Sequence, residues 1–170
     1  MELVLKQSTI RDWNLDDAAS LAEQANNRQI WLQVRDIMPY PYTIADANVF
    51  LEKATNANPR TNFCIEIDGN VAGGVVIKPG EDVHRRTAEV GYWLGQKFWG
   101  RGVATEAITA FVEHCFSSFN LVRIFGQVNA NNPASARVLE KAGFVLEGRM
   151  RKHVIKDGVI LDSLLYAKTK

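Results

Sequence analysis

The stretch from Thr87 to Glu113 restricts this chain more than any other. It opens with Thr87-Ala88-Glu89-Val90-Gly91-Tyr92-Trp93-Leu94, apolar and aromatic as a buried strand should be, except for the carboxylate of Glu89. Gly95-Gln96-Lys97-Phe98-Trp99-Gly100-Arg101-Gly102-Val103-Ala104 follows as a bend rich in small residues, and from Thr105 onward apolar residues recur at helical spacing. Strand, glycine bend and helix start, in that order, let a chain hold a pyrophosphate on backbone N–H groups. Gly100 and Gly102 permit backbone conformations and close approaches that a side chain would block. Taken alone, the bend fits a plain structural turn equally well. A carboxylate on the strand that leads into it adds a candidate base beside whatever the phosphate carries.

The flanking sequence supplies an α/β frame. Glu2 to Thr9 reads as a first strand, and Asn14 or Asp16 caps a helix carrying Leu15, Ala18, Leu21, Ala22 and Ala25. A short helical piece through Ile30, Trp31, Leu32 and Val34 precedes an irregular Met38-Pro39-Tyr40-Pro41-Tyr42 loop. Thr43 caps a further helix to Asn56, and Asp68-Gly69-Asn70 turns a hairpin between Phe63–Ile67 and Val71–Ile77. A helix over Val103–Phe116, a strand over Leu121–Val128, a helix from Pro133 to a Gly143 cap and a closing hairpin around Lys156-Asp157-Gly158 complete the order. The predicted arrangement is β-α-α-β-β-β-α-β-α-β-β, a mixed α/β sheet with helices packed against it. With 170 residues and no repeat or linker, residues 1–170 read as one domain.

Composition narrows the partners. Apolar residues at 46% and charged residues at 23% place the chain in the ordinary globular class. A net charge of +1, with no Lys/Arg run longer than a pair, lacks the footprint of a nucleic-acid binder. Cys64 and Cys115 have no metal-ligand spacing, so they read as reduced core thiols of a cytoplasmic protein that holds no metal. The start of the chain has no signal-peptide pattern and no apolar run is long enough to cross a bilayer, so no membrane partner is expected.

About one helix and one strand after the glycine bend comes Asn132-Pro133-Ala134-Ser135-Ala136-Arg137-Val138-Leu139-Glu140-Lys141-Ala142-Gly143-Phe144. Together with Ala88–Leu94, Trp99-Gly100-Arg101-Gly102-Val103-Ala104-Thr105-Glu106-Ala107, Glu147-Gly148, and Asp157-Gly158 with Asp162, it resembles the GNAT acetyltransferase superfamily, and within it the RimJ/RimL-like branch. The resemblance covers nearly the whole chain and implies a mixed, mostly antiparallel sheet of about seven strands, flanked by helices and splayed between its fourth and fifth strands. It implies acetyl-CoA as cosubstrate, no metal, and an amine acceptor that is a protein N-terminus or a small molecule, in a monomer or homodimer.

The resemblance also assigns residues. The pyrophosphate loop falls on Trp99, Gly100, Arg101, Gly102, Val103 and Ala104, with Thr105 opening the helix. Trp99 stands where the family usually has Arg or Gln, so the backbone cradle is kept and a side-chain phosphate contact is not; Arg101 is the available substitute. The main chain of Tyr92, Trp93 and Leu94 aligns the pantetheine arm, with the Leu94 N–H meeting the developing oxyanion. Asn132 contacts the cofactor arm. Glu89 is the general base for the attacking amine, its alternative being a strand carboxylate paired with an Arg. The tyrosine that many members use as proton donor falls on Leu139, which leaves the Ser135 hydroxyl for the departing thiolate or for the helix surface. Trp31 and Tyr40 lie in the segment that covers the acceptor site in relatives; as aromatics they suit a core equally well.

Overall fold

The computed structural model describes residues 1–170, with eight strands and five α-helices. Two compact units divide the chain, Met1–Val76 with Tyr92–Ala107 and Ile77–Gly91 with Ile108–Lys170. Strands β4 (Asn70–Pro79) and β5 (Thr87–Leu94) and helix α4 (Val103–Ser118) contribute residues to both.

In the first unit, β1 (Glu2–Val4) and β2 (Thr9–Arg11) form an antiparallel hairpin, β2 pairs with β3 (Asn62–Ile67), and β3 pairs with β4. The single strand expected over Glu2 to Thr9 is therefore two strands, closed by a Leu5 N–H to Ser8 O bond of 2.9 Å. That split accounts for eight strands where about seven were expected. Helices α1 (Ala18–Ala25), α2 (Arg28–Trp31) and α3 (Ile44–Asn56) belong to this unit. Thr43 caps α3 through a reciprocal box with Asp46, as its sequence suggested. Trp13, Leu21, Tyr42, Leu51, Cys64 and Val71 form a buried cluster against which Trp93 packs. Arg11 ties the base of this unit together: its guanidinium donates two 2.8 Å bonds to Asp17 and another to Glu66.

In the second unit, β5 pairs in parallel with β6 (Arg123–Asn129), β6 antiparallel with β8 (Val159–Thr169), and β8 antiparallel with β7 (Val145–Lys156). Parallel neighbours need a long crossover, which α4 supplies between β5 and β6. Helix α5 (Pro133–Lys141) follows β6. It ends at Gly143 (φ +88°), with the Phe144 N–H reaching back to Leu139 O at 3.0 Å. The strands are mostly antiparallel, with β5–β6 the parallel pair, and helices flank them: the GNAT arrangement that the sequence implied. Within the second unit the β5–β6 register runs from Thr87↔Arg123 to Glu89↔Phe125.

Candidate active site

The glycine bend lies in the first unit. Gly100 (φ +72°) and Gly102 (φ +82°) both occupy the left-handed region, which a side chain would strain. Apart from its chain neighbours, nothing lies within 4 Å of where a Cβ on Gly100 would stand. Helix α4 begins at Val103, which is anchored at 1% exposure, and its first backbone bond is Glu106 N–H to Gly102 O at 3.0 Å. The amides of Val103 and Ala104 precede that ladder and have no helical carbonyl to serve. Left-handed glycines and leading helix amides fit a pyrophosphate, and Gly100, Gly102, Val103 and Ala104 are the residues that would hold it. Thr105 is half-buried in the first turn of α4.

Trp99 does something the sequence did not announce. Its indole Nε1–H donates to the Leu94 carbonyl at 2.7 Å, fastening the bend to the end of β5. Arg101 sits with its guanidinium 5.9 Å above the Phe98 ring. The strand end is itself closely packed: a Cβ on Gly73 in β4 would come within 2.2 Å of the Trp93 carbonyl oxygen. Gly95 N–H donates to Ala72 O at 2.7 Å, which holds β4 and the end of β5 together. Leu94 is buried at 7% exposure, whereas Tyr92 and Trp93 are half-buried. In the same unit Trp31 and Tyr40 face one another with ring centroids 5.8 Å apart, and Tyr40 is 41% exposed. These two rings sit outside the buried cluster, which takes Tyr42 instead.

The remaining predicted residues lie in the second unit. Glu89 is half-buried on an interior strand, at the last position where β5 and β6 pair. Ala88 and Val90, its neighbours on the opposite face, are 1% and 4% exposed. Asn132 is the N-cap of α5, its side-chain oxygen accepting the Ser135 N–H at 3.1 Å, which leaves the carboxamide's two N–H donors for other work. Ser135 is half-buried in the first turn of α5. Leu139 is 1% exposed, with a methyl 3.2 Å from where a Gly126 Cβ would stand, so that position packs and donates nothing. Tyr166, buried on β8, donates its hydroxyl to Glu140 at 3.1 Å, and burial pushes its pKa up. Asp162 accepts from Arg149 Nε at 2.7 Å and from the Lys152 N–H at 2.8 Å, while its own carbonyl receives the Ala130 N–H ahead of α5. Lys152 has φ +51°, so Asp162 pins an irregular point in β7.

Burial pushes the thiols of Cys64 and Cys115 up to about 12, consistent with their reading as inert core residues. No group of three or more His, Cys, Asp or Glu side chains gathers as a metal site. No helix is long and apolar enough to cross a membrane. Sequence reasoning missed the bracing role of Glu106. Both Glu106 carboxylate oxygens accept backbone N–H groups of the β1–β2 turn, one from Lys6 and one from Gln7, each at 3.1 Å. No spacing signal reveals a contact between residues 99 positions apart.

The chain is 34% identical over 83 residues to the ribosomal-protein-serine acetyltransferase of Escherichia coli K12, covering 49% of this chain and 46% of that protein. It is 27% identical over 120 residues to the spermidine N(1)-acetyltransferase of the same organism, covering 71% and 63% of the two chains. The chain spans about half the length of several curated relatives it matches. Mycobacterium smegmatis RimJ, solved in complex with CoA-disulfide, superimposes with a TM-score of 0.85 at 27% identity over 95% of this chain and 81% of that one. Residues 8–145 match the acetyltransferase (GNAT) domain, and the chain belongs to that family.

Proposed function

We propose that residues 1–170 act as one acetyl-CoA-dependent N-acetyltransferase domain that moves the acetyl group directly to a primary amine, here the α-amine of a protein N-terminus such as that of a ribosomal protein. The observation that carries this reading is the pair of left-handed glycines in the bend ahead of α4, which follows the strand that carries Glu89. Similarity to a ribosomal-protein-serine acetyltransferase and to RimJ supports the choice of acceptor.

Bound acetyl-CoA supplies an activated thioester. The chain's own residues do the rest. Gly100, Gly102, Val103 and Ala104 present backbone N–H groups to the pyrophosphate, with Arg101 adding positive charge. The main chain of Tyr92, Trp93 and Leu94 aligns the pantetheine arm, and Asn132 donates to it. Glu89 takes the proton that the amine must lose, and the Ser135 hydroxyl donates a hydrogen bond to the departing sulfur. Trp31 and Tyr40 offer aromatic surface to the acceptor.

A second reading, transfer to a small amine, is favoured by the similarity to a spermidine acetyltransferase. Thiol release from acetyl-CoA, measured against a panel of N-terminal peptides and small amines, separates the two. Turnover stimulated by peptides supports the first reading, and turnover confined to small amines selects the second. Tight CoA binding with no stimulated turnover on any acceptor marks a non-catalytic acyl-CoA-binding module and refutes both.

A further inference from the structure

The pyrophosphate loop lacks the side-chain donor that Arg or Gln would give at position 99. Trp99 cannot supply it, because its one polar atom is committed to the Leu94 carbonyl at 2.7 Å. The Arg101 guanidinium lies over the Phe98 ring, 5.9 Å from its centroid. Another side chain stands at the bend. The Gln7 Nε2 lies 3.6 Å from where a Gly102 Cβ would be, and apart from the glycine's own neighbours no other heavy atom lies within 4 Å of that point.

The main chain that carries Gln7 is fixed beside the bend. It belongs to the β1–β2 turn, whose Lys6 and Gln7 amides both donate to the Glu106 carboxylate at 3.1 Å, and Glu106 sits in the first turn of the helix that opens at the loop. The Leu5 N–H to Ser8 O bond closes the turn behind it. A carboxylate in the first turn of a helix is favoured by the dipole, so the brace also suits the helix start. The turn and the loop therefore form one piece of local structure, with the Gln7 carboxamide on the loop's side of it. A carboxamide carries two N–H donors and no charge, which suits a second hydrogen bond to a phosphate oxygen beside backbone amides.

We infer that Gln7 donates a hydrogen bond from its carboxamide to the pyrophosphate of bound acyl-CoA, taking the place of the donor missing at Trp99, and that Glu106 is its positioning residue. This rests on the proposed acetyl-CoA reading.

Calorimetric titration of the full chain with CoA and with dephospho-CoA, which keeps the pyrophosphate and lacks the 3′-phosphate, tests it. Gln7→Ala is expected to weaken both ligands equally, by about ten- to a hundredfold, the loss of one hydrogen bond to a charged group. Gln7 is exposed, so the melting temperature of the ligand-free protein should stay unchanged while the CoA-induced rise shrinks. Glu106→Gln should lose affinity in the same direction, and adding it to Gln7→Ala should cost little more. Unchanged CoA affinity in Gln7→Ala overturns the inference, as does a loss seen with CoA but absent with dephospho-CoA. Wild-type protein that binds no CoA at all overturns the acetyl-CoA reading itself, a result distinct from either.

Discussion

Gly73→Ala tests a close backbone approach at the strand end assigned to the pantetheine arm. The added methyl would stand 2.2 Å from the Trp93 carbonyl oxygen and 3.0 Å from the Leu94 Cα, both main-chain atoms that no rotamer change can move. Carbon and oxygen normally approach no closer than about 3.3 Å, so the deficit is about 1 Å. Relief requires β4 and β5 to part there, which strains the 2.7 Å bond from Gly95 N–H to Ala72 O. Overpacking of this kind costs about 1–3 kcal/mol, and a weakened ladder bond adds about 1 kcal/mol. The lower chain entropy of alanine in the unfolded state returns roughly 0.4–1 kcal/mol. The net loss of about 1–3 kcal/mol corresponds to a fall in Tm of roughly 2–12 °C for a chain of this length. Thermal melts followed by circular dichroism give the first readout, and CoA affinity, which should fall with it, gives the second. Gly148→Ala is the control, because nothing lies within 4 Å of its added methyl, and it should leave Tm nearly unchanged. If Gly73→Ala melts with the wild type and binds CoA equally well, the close approach does not exist as described.

Two further outcomes follow from burial. Cys64 and Cys115 are both 0% exposed and their pKa values stand at about 12 against 9.0 for a free thiol, so neither should react with a thiol reagent until the protein unfolds. The folded state favours the protonated thiols, so their contribution to stability is complete below about 9 and is lost as pH rises toward about 12, which denaturant titrations across that window would detect. Leu139→Ala should cost about 2–5 kcal/mol through the cavity left against Gly126, read as a lower denaturation midpoint with an unchanged slope.

What could be read from the sequence was local. Thr43 and Gly143 mark helix ends through chemistry within three or four residues, and each stands at the expected cap, while Asn132 caps the helix that Pro133 was expected to open. Asp68-Gly69 and Asp157-Gly158 each place two successive residues at positive φ, the demand of a tight hairpin turn, and both hairpins form where expected. The β1–β2 turn escaped notice because Leu5-Lys6-Gln7-Ser8 contains no turn residue other than a serine. Its amides are satisfied by Glu106, far along the chain. The same holds for Trp99. Its substitution in the family pattern was visible, but its use as a tie to Leu94 depends on how the bend folds back on the strand. Tertiary hydrogen bonds leave no period in a sequence, so the glycine bend was legible while the side chains that brace it were not.

Glu89 is where the proposed chemistry meets the fold, on the strand that leads into the glycine bend. The decisive measurement is kcat for Glu89→Gln across a pH series, with an accepted amine and saturating acetyl-CoA, alongside a CoA titration of the same variant. Loss of the base should lower kcat by roughly 10²–10⁴ while CoA binds as in the wild type. A kcat that matches the wild type at every pH would contradict the account.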